Sequence, residues 1–553
     1  ARYFTGGDVH QVTTEDIVIE AVVHIVTGGT HNIITKRDGV NAGYSLQIDT
    51  NGSALVLIED TAAATATVTS AADLGWCHII AFVDRSGSAQ VYINGTASGA
   101  AVDFSAAAAS LTNTADFVVG ATSAGANIAN GVNIAYVALW QSAGWLDTHL
   151  QANVAVDRCA QMAGVYPTRA AGSARPTVMA RTSSAMLRKT VSGVTTLYRV
   201  GSNWPRVEKL SGITGYLSEP SIINKLLQSE TFGTTWVAQD AGDTIDSTGN
   251  TAPDGTATAD GLIADATDGQ HGYSQASATN LTAATWTFSI FAKAGNKNWI
   301  QIKNTAYGDA DVQFNVSTGT TGTVGINVIA SFIENYGNGW YRCGMSFTGT
   351  AAAHTMRIQT GESDGDIVFA GDGATINTYV WGAQLELWST MTSYMRTAAA
   401  VATREVDQLT FASASNLDRS HGSAICRVLV PNYNNTAASI FMEANDGTAN
   451  NYIAVWATST DVARASVGSG GAATGQVTGT TDVTDGVNTT LAGSWQTDDY
   501  RLYVDGTAEG TADTSGAVSA NITAINIGHS LAVTQPAGTI NRCRIFLRPG
   551  VKQ

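Results

Sequence analysis

The chain has 553 residues, of which 13% are charged, and a net charge of −16. At roughly 100–200 residues per domain, that length makes about three or four domains, each large enough to bury a core. The acidic balance argues against the basic face of a nucleic-acid binder, and no apolar run reaches the roughly 18 residues of a membrane-spanning helix, so neither nucleic acid nor membrane insertion is expected.

Strand and turn signals begin at once. "AGYSLQID-TNGS-ALVLIED" alternates apolar positions around Asn51–Gly52. "SAQVYINGTASGA" repeats the pattern at Asn94–Gly95. Asn-Gly and Asp-Gly favour tight hairpins because both residues tolerate positive φ. Asp-Gly recurs at Asp38, Asp254, Asp260, Asp268, Asp364, Asp372, Asp446, Asp485 and Asp505, the punctuation of antiparallel sandwiches. The one helix signal is Ser142–Val165, where Trp145, Leu146, Leu150 and Val154 fall near a 3.6-residue period.

Pro167 to Lys209 has a different texture. Arg169, Arg175, Arg181, Arg188, Lys189, Arg199, Arg206 and Lys209 stand against Glu208 alone. Two readings fit: a solvated linker, or a docking strip for an acidic neighbour such as another copy of the chain, with Arg169, Arg175, Arg181, Arg188 and Lys189 as its contacts.

Further on, three segments repeat earlier ones in the same order. "LYVDGTAEG" (502–510) matches "VYINGTASG" (91–99), "INIGHSLA" (525–532) matches "FVVGATSA" (117–124), and "GTINRCRIFL" (538–547) matches "GVNIAYVALW" (131–140). This predicts two copies of one domain type, one at each end. The expected fold is therefore all-β: three β-sandwich (jelly-roll) domains in tandem with one short helix after the first. The expected boundaries are 1–166, a connector at 167–219, 220–405 and 406–553. Between the second and third domains, Trp381, Ala383, Leu385 and Leu387 keep a period of two and are expected to share a core face, with Gly382 on the other face leaving room for a bulge or a close neighbour. Val406, Leu409 and Phe411 then open the last sandwich.

Chemistry-bearing motifs are sparse. There is no phosphate-binding loop and no HExxH. Glu59 and Asp60 are adjacent and so point to opposite faces, while Glu405 and Asp407 alternate but sit at the domain seam. "GHSLA" (528–532) imitates a nucleophile elbow, yet its repeat partner "GATSA" lacks the His, so it reads as a strand exit. The five scattered cysteines, Cys77, Cys159, Cys343, Cys426 and Cys543, form no CxxC and are expected to be buried free thiols in a reducing cytoplasm. No cofactor is expected; a structural Ca²⁺ could draw on Asp265 and Asp268, or on Asp364 and Asp366, although both stretches are also ordinary turns. Among the aromatics, Trp299 in "NKNWIQI" and Tyr273 in "QHGYSQ" have polar neighbours and are the best candidates for stacking on a sugar ring.

The terminal stretches "DIVIEAVVHI", "ITKRDGVNAGYSLQID", "GWCHIIAFVDRSGSAQVYINGT" and "GVNIAYVALW" resemble concanavalin-A/laminin-G-like jelly rolls. The middle stretches "EPSIINKLLQSETFGTTWV", "TWTFSIFAKAGNKNWIQI", "NGWYRCGMSFTGT" and "WGAQLELWSTMTSYMRTAAAVATREVD" resemble carbohydrate-binding-module-like sandwiches of bacteriophage virion proteins. The resemblance implies a non-enzymatic virion structural protein of the tail-fibre, head-fibre or capsid-decoration type, on the virion exterior after assembly in the host cytoplasm. Its implied partners are other virion proteins, copies of itself and a host surface glycan. A secreted or surface bacterial glycan-binding adhesin, and the accessory region of a carbohydrate-active enzyme, are the alternatives.

Overall fold

The computed structural model describes residues 3–142 and 176–546, except 7, 9, 38–41, 63–64, 73–74, 123–130, 182, 184, 192–193, 201–205, 211–212, 307, 309, 414–416, 431–437, 484–485, 518–520 and 531–537. Antiparallel strands stack as three sandwiches. The helix expected over 142–165 lies outside the described residues, apart from Ser142, which ends the strand Val132–Ser142.

The first sandwich pairs one sheet in the order Phe4–Thr5, Val118–Val119, His31–Arg37, Gly43–Ile48, Ser53–Glu59, Thr65–Ala72 with a second in the order Val132–Ser142, Asp16–Ile25, Gly75–Val83, Ser88–Ile93, Thr96–Asp103. Alternation sets the faces: Ile17, Ile19, Ala21, Val23 and Ile25 all enter the core between the sheets. The last sandwich repeats this order strand for strand: Gln408–Ala412, Ala524–Ile527, Ser439–Asn445, Tyr452–Ala457, Val462–Ser469, Ala472–Asp482 in one sheet, and Gly538–Phe546, His421–Leu429, Asn488–Gln496, Asp499–Val504, Thr507–Asp513 in the other. The repeat read from the sequence is thus a repeat of topology. Even its hairpin turns agree: Asn94–Gly95 has φ of 49° and 82°, and Asp505–Gly506 has 46° and 83°, positive at both central positions as a type I′ turn requires.

The middle sandwich packs the sheet Val237–Ala238, Gly272–Ala276, Thr355–Gly361, Trp299–Asn304, Asp311–Asn315, Thr320–Val324 on the sheet Thr244–Asn250, Ala259–Ile263, Thr378–Glu386, Thr285–Ala294, Trp340–Thr348, Ala330–Gly337. In Thr378–Glu386 the alternation breaks. Gly382 has φ +68° and the register with Thr285–Ala294 shifts beside it, so a bulge forms. Val380, Ala383 and Leu385 enter the core between the sheets, whereas Trp381 turns to a separate aromatic cluster with Phe291, Trp340 and Tyr394. Leu387, expected on the core face, is exposed because the strand ends at Glu386.

The basic segment forms strands, not a solvated linker. Pro176–Ala180 adds to the edge strand Gln408–Ala412, and Ile213–Ser218 adds to Gly538–Phe546. Ala185–Val191 and Val194–Val200 form a hairpin that touches all three sandwiches. Val200 pairs in parallel with Trp76 of the first, Met186 and Leu197 join the aromatic cluster of the middle one, and Ala185 joins the core of the last.

Cys426 and Cys543 are register partners on neighbouring strands and form a disulfide; Cys77 and Cys343 are buried thiols. The expectation of free thiols throughout therefore fails at one pair: scattered positions in sequence converge once the last strand returns beside His421–Leu429.

Candidate functional site

The middle sandwich presents an outward sheet face of unusual composition. In Trp299–Asn304, Ile300 and Ile302 enter the core, so Trp299, Gln301 and Lys303 face outward. The neighbouring strands bring Gln313 and Gln359 level with Gln301, and Asp311 and Arg357 level with Lys303. Trp299 is half-buried at one end of the face. Gly322 makes room for it: a Cβ there would lie 2.6 Å from Trp299 Cζ3 and 2.5 Å from Asp364 Oδ1.

The polar atoms of this face are incompletely used. Gln301 Nε2 donates to Asp311 Oδ2 at 2.6 Å and Gln359 Nε2 donates to Gln270 Oε1 at 3.1 Å. These bonds fix both amides, and each leaves its Oε1 buried with no partner. Arg357 Nε is likewise buried and unpartnered, and burial pushes its guanidinium pKa down. An unmet buried donor or acceptor costs about 1–3 kcal/mol. Three on adjacent positions lie beneath the face, Gln301 being 3% and Gln359 1% exposed, while Trp299 and Arg357 reach solvent; together they suit a ligand with hydroxyl donors, acceptor oxygens and an apolar ring face.

Of the two aromatic candidates, Trp299 lies on this face and Tyr273 does not. Tyr273 is 6% exposed, packs in the core and donates its hydroxyl to the Asp243 carbonyl at 3.1 Å. Its polar neighbours are the outward positions of the same strand. Gln301, Arg357 and Gln359 were not singled out from the sequence, although the alternation in "WIQIKN" and "MRIQTG" places them outward.

Three of the four Ca²⁺ candidates accept backbone amides. Asp265 Oδ1 accepts from the Thr267 amide at 2.9 Å, Asp364 Oδ1 from the Thr323 amide at 2.8 Å, and Asp366 Oδ1 from the Val368 amide at 3.3 Å, while Asp268 is exposed on the strand Asp268–Gln270. Among the described residues, Asp243, Asp265 and His271 bring three potential ligand atoms within 4.8 Å. His271 is not free to bind a metal, however. Its Nδ1 meets Asp243 Oδ1 at 2.7 Å and its Nε2 meets the Phe369 carbonyl at 2.8 Å. Both ring nitrogens face acceptors, which favours the doubly protonated ring. Burial opposes that charge, but Asp243 and the carbonyl outweigh it and raise the pKa.

The proposed docking strip is turned inward where it is described. Arg181 is 2% exposed and donates to Asp407 Oδ1 at 2.8 Å. Arg206 bridges Asp407 and Glu219, and Arg404 also binds Glu219. Arg188 binds Glu334 at 2.9 Å and lies over the Tyr336 ring. Arg169 and Arg175 lie outside the described residues, as does the side chain of Lys189, which belongs to Ala185–Val191. The cavity at this junction, about 70 Å³, is lined by Arg188, Glu208, Glu219 and Glu334, which are paired with one another or with Arg206 and Arg404. It is a structural knot.

The acidic pairs read from the sequence have structural partners as well. Glu59 binds Arg37, Asp60 is buried and accepts the Ala62 and Ala109 amides, and Asp407 belongs to the knot. In "GHSLA", His529 and Ser530 are buried beyond the strand Ala524–Ile527, and burial drops the His529 pKa to about 4. Glu20 and His78 form a 2.7 Å pair in the first sandwich, but both are fully buried.

The family model of the concanavalin A-like lectin/glucanases superfamily matches residues 2–144 and 403–549. No curated protein matches the sequence. Similar solved structures include the heptameric SAP-like pentraxin of Limulus polyphemus, 15% identical over 27% of this chain and 73% of that one, TM-score 0.22. The receptor-binding domain of botulinum neurotoxin D is 9% identical over 48% of this chain and 74% of that one, TM-score 0.22. Domains LG4-5 of the mouse laminin alpha1 chain are 8% identical over 99% of this chain and 90% of that one, TM-score 0.20.

Proposed function

Because the chain belongs to the concanavalin A-like lectin/glucanases superfamily through both terminal sandwiches, we propose that it is a non-enzymatic structural protein of a virion exterior that binds a host surface glycan through its middle sandwich. The observation that carries glycan binding is the outward face with Trp299 at one end and the unpartnered Gln301, Gln359 and Arg357 atoms beside it. The likeness of the middle stretches to phage virion sandwiches supports the virion placement. The connector hairpin joins the terminal sandwiches to the middle one that carries the face. Partners in this reading are copies of the chain and neighbouring virion proteins, the usual setting of symmetric assemblies.

A glycan array probed with the whole chain tests the site. Trp299→Ala is expected to weaken any glycan bound by wild type about tenfold or more, as for truncation of an aromatic anchor. Equal binding by Trp299→Ala would place the site elsewhere. One observation favours a second reading, a secreted or surface bacterial adhesin: the Cys426–Cys543 disulfide, since such bonds persist in oxidising compartments. Peptide mapping of purified particles separates the two: the chain is found in virions under the first reading and only in the bacterial envelope or medium under the second.

A further inference from the structure

We infer that the glycan bound on this face is acidic and that Arg357 receives its anionic group, a carboxylate or a sulfate ester. The inference rests on the reading of the face as a glycan site and names the class of sugar it takes.

Asp364 lies beside Trp299 at one end of the face, and charge is unbalanced at the other end. Lys303 and Arg357 are register partners on adjacent strands, so two cations stand side by side. Asp311 is the acid level with them, and both its oxygens are engaged. Oδ2 accepts from Gln301 at 2.6 Å, and Oδ1 lies 4.0 Å from Lys303 Nζ. The Arg357 side chain forms no hydrogen bond or ion pair among the described residues, and its Nε is buried. A guanidinium is a planar fork of donors that matches a two-oxygen anion. Next to it, the Gln301 and Gln359 carbonyl oxygens call for donors, which sugar hydroxyls supply. A neutral sugar offers the guanidinium only single hydroxyl oxygens; an acidic one offers its fork a two-oxygen anion.

The face also sets a length. Trp299 and the Lys303–Arg357 row are four strand residues apart, about 13 Å at about 3.3 Å per residue. That separation is the reach of a short oligosaccharide, with one ring against Trp299 and the acidic unit at Arg357.

The test uses the whole chain and three oligosaccharide sets on one array: uronate-containing, the same sugars as neutral methyl esters, and sulfated neutral sugars. Wild type is expected to bind an acidic set at least about tenfold more tightly than the neutral one, the scale of a charge-assisted bidentate contact. Arg357→Gln is expected to erase that preference while keeping the affinity for neutral sugars, and added salt is expected to reduce only the acidic preference. Whichever acidic set wins identifies the anion as carboxylate or sulfate. Equal binding of neutral and acidic sugars, or a preference that survives in Arg357→Gln, overturns the inference and leaves the glycan site standing. Failure of all three sets to bind overturns both. The thermal unfolding midpoint of Arg357→Gln, expected to be unchanged because the residue has no partner to lose, separates a binding effect from misfolding.

Discussion

Asp407→Asn puts the buried knot to the test. Asp407 accepts from Arg181 Nη1 at 2.8 Å, from Arg206 Nη2, and from the Glu219 amide at 3.2 Å. Glu219 binds Arg206 at 2.7 Å and also Arg404. Three arginines therefore share two carboxylates, all with side chains at most 5% exposed. Burial works against the Glu219 charge, but Arg404 and Arg206 outweigh it and hold that carboxyl well below its usual range. Asp407→Asn leaves three buried cations on one acid, and removal of one partner from a buried pair costs about 3–5 kcal/mol. Arg181→Met instead leaves two cations on two acids and is expected to cost less than half as much. Urea unfolding followed by tryptophan fluorescence measures both. The charge-counting argument is refuted if Asp407→Asn falls within about 1 kcal/mol of wild type, or if Arg181→Met is as damaging.

Burial raises the Glu230 carboxyl to about 7, although Arg396 and the Tyr394 hydroxyl at 3.0 Å pull the other way. Its folded pKa lies above its ordinary 4.5, so its contribution is complete below about pH 4.5 and is lost as pH rises through about 7, a change of about 3 kcal/mol. Glu230→Gln is expected to flatten that part of the stability profile between pH 4.5 and 8 in urea midpoints, and an unchanged profile would remove Glu230 as its cause. Gly322→Ala places a Cβ against Trp299 and Asp364; it is expected to abolish glycan binding while far-ultraviolet circular dichroism stays that of wild type, and retained binding would show that the indole position is not critical.

The duplicated sandwiches were legible because their signals are local. Asn-Gly and Asp-Gly turns set hairpins within a few residues, and alternation such as Ile17, Ile19, Ala21 fixes a face without reference to the rest of the chain. The knot was not legible because its partners are remote: Arg181 and Asp407 are 226 residues apart. A window from Pro167 to Lys209 therefore shows basic residues without their acids and looks like a solvated strip. Trp381 leaves the face that strict alternation gives it because the bulge at Gly382 reverses the alternation. Tyr273 was misjudged for the opposite reason: polar neighbours on a strand report the other face. The same rule applied to "WIQIKN" and "MRIQTG" would have singled out Gln301, Arg357 and Gln359.

Identical strand order does not give the two terminal sandwiches the same standing in the chain. The last one takes Pro176–Ala180 on one sheet edge and Ile213–Ser218 on the other, and Tyr216 from the second of these is 6% exposed within its core. Ser218 Oγ also donates to the Gly528 carbonyl at 2.6 Å. A fragment spanning 406–553 contains every strand of the repeated topology yet lacks these edge strands, so Gln408–Ala412 and Gly538–Phe546 would present open edges, which template association. That fragment is expected to self-associate on size exclusion and to unfold at a lower temperature than the same sandwich in a fragment spanning 176–553, which is expected to be monodisperse. If 406–553 is monomeric and equally stable, the connector strands decorate a domain that is already complete. If it is not, the connector is part of that domain, and the seam at Asp407 joins elements of a single folding unit that spans the connector and the last sandwich.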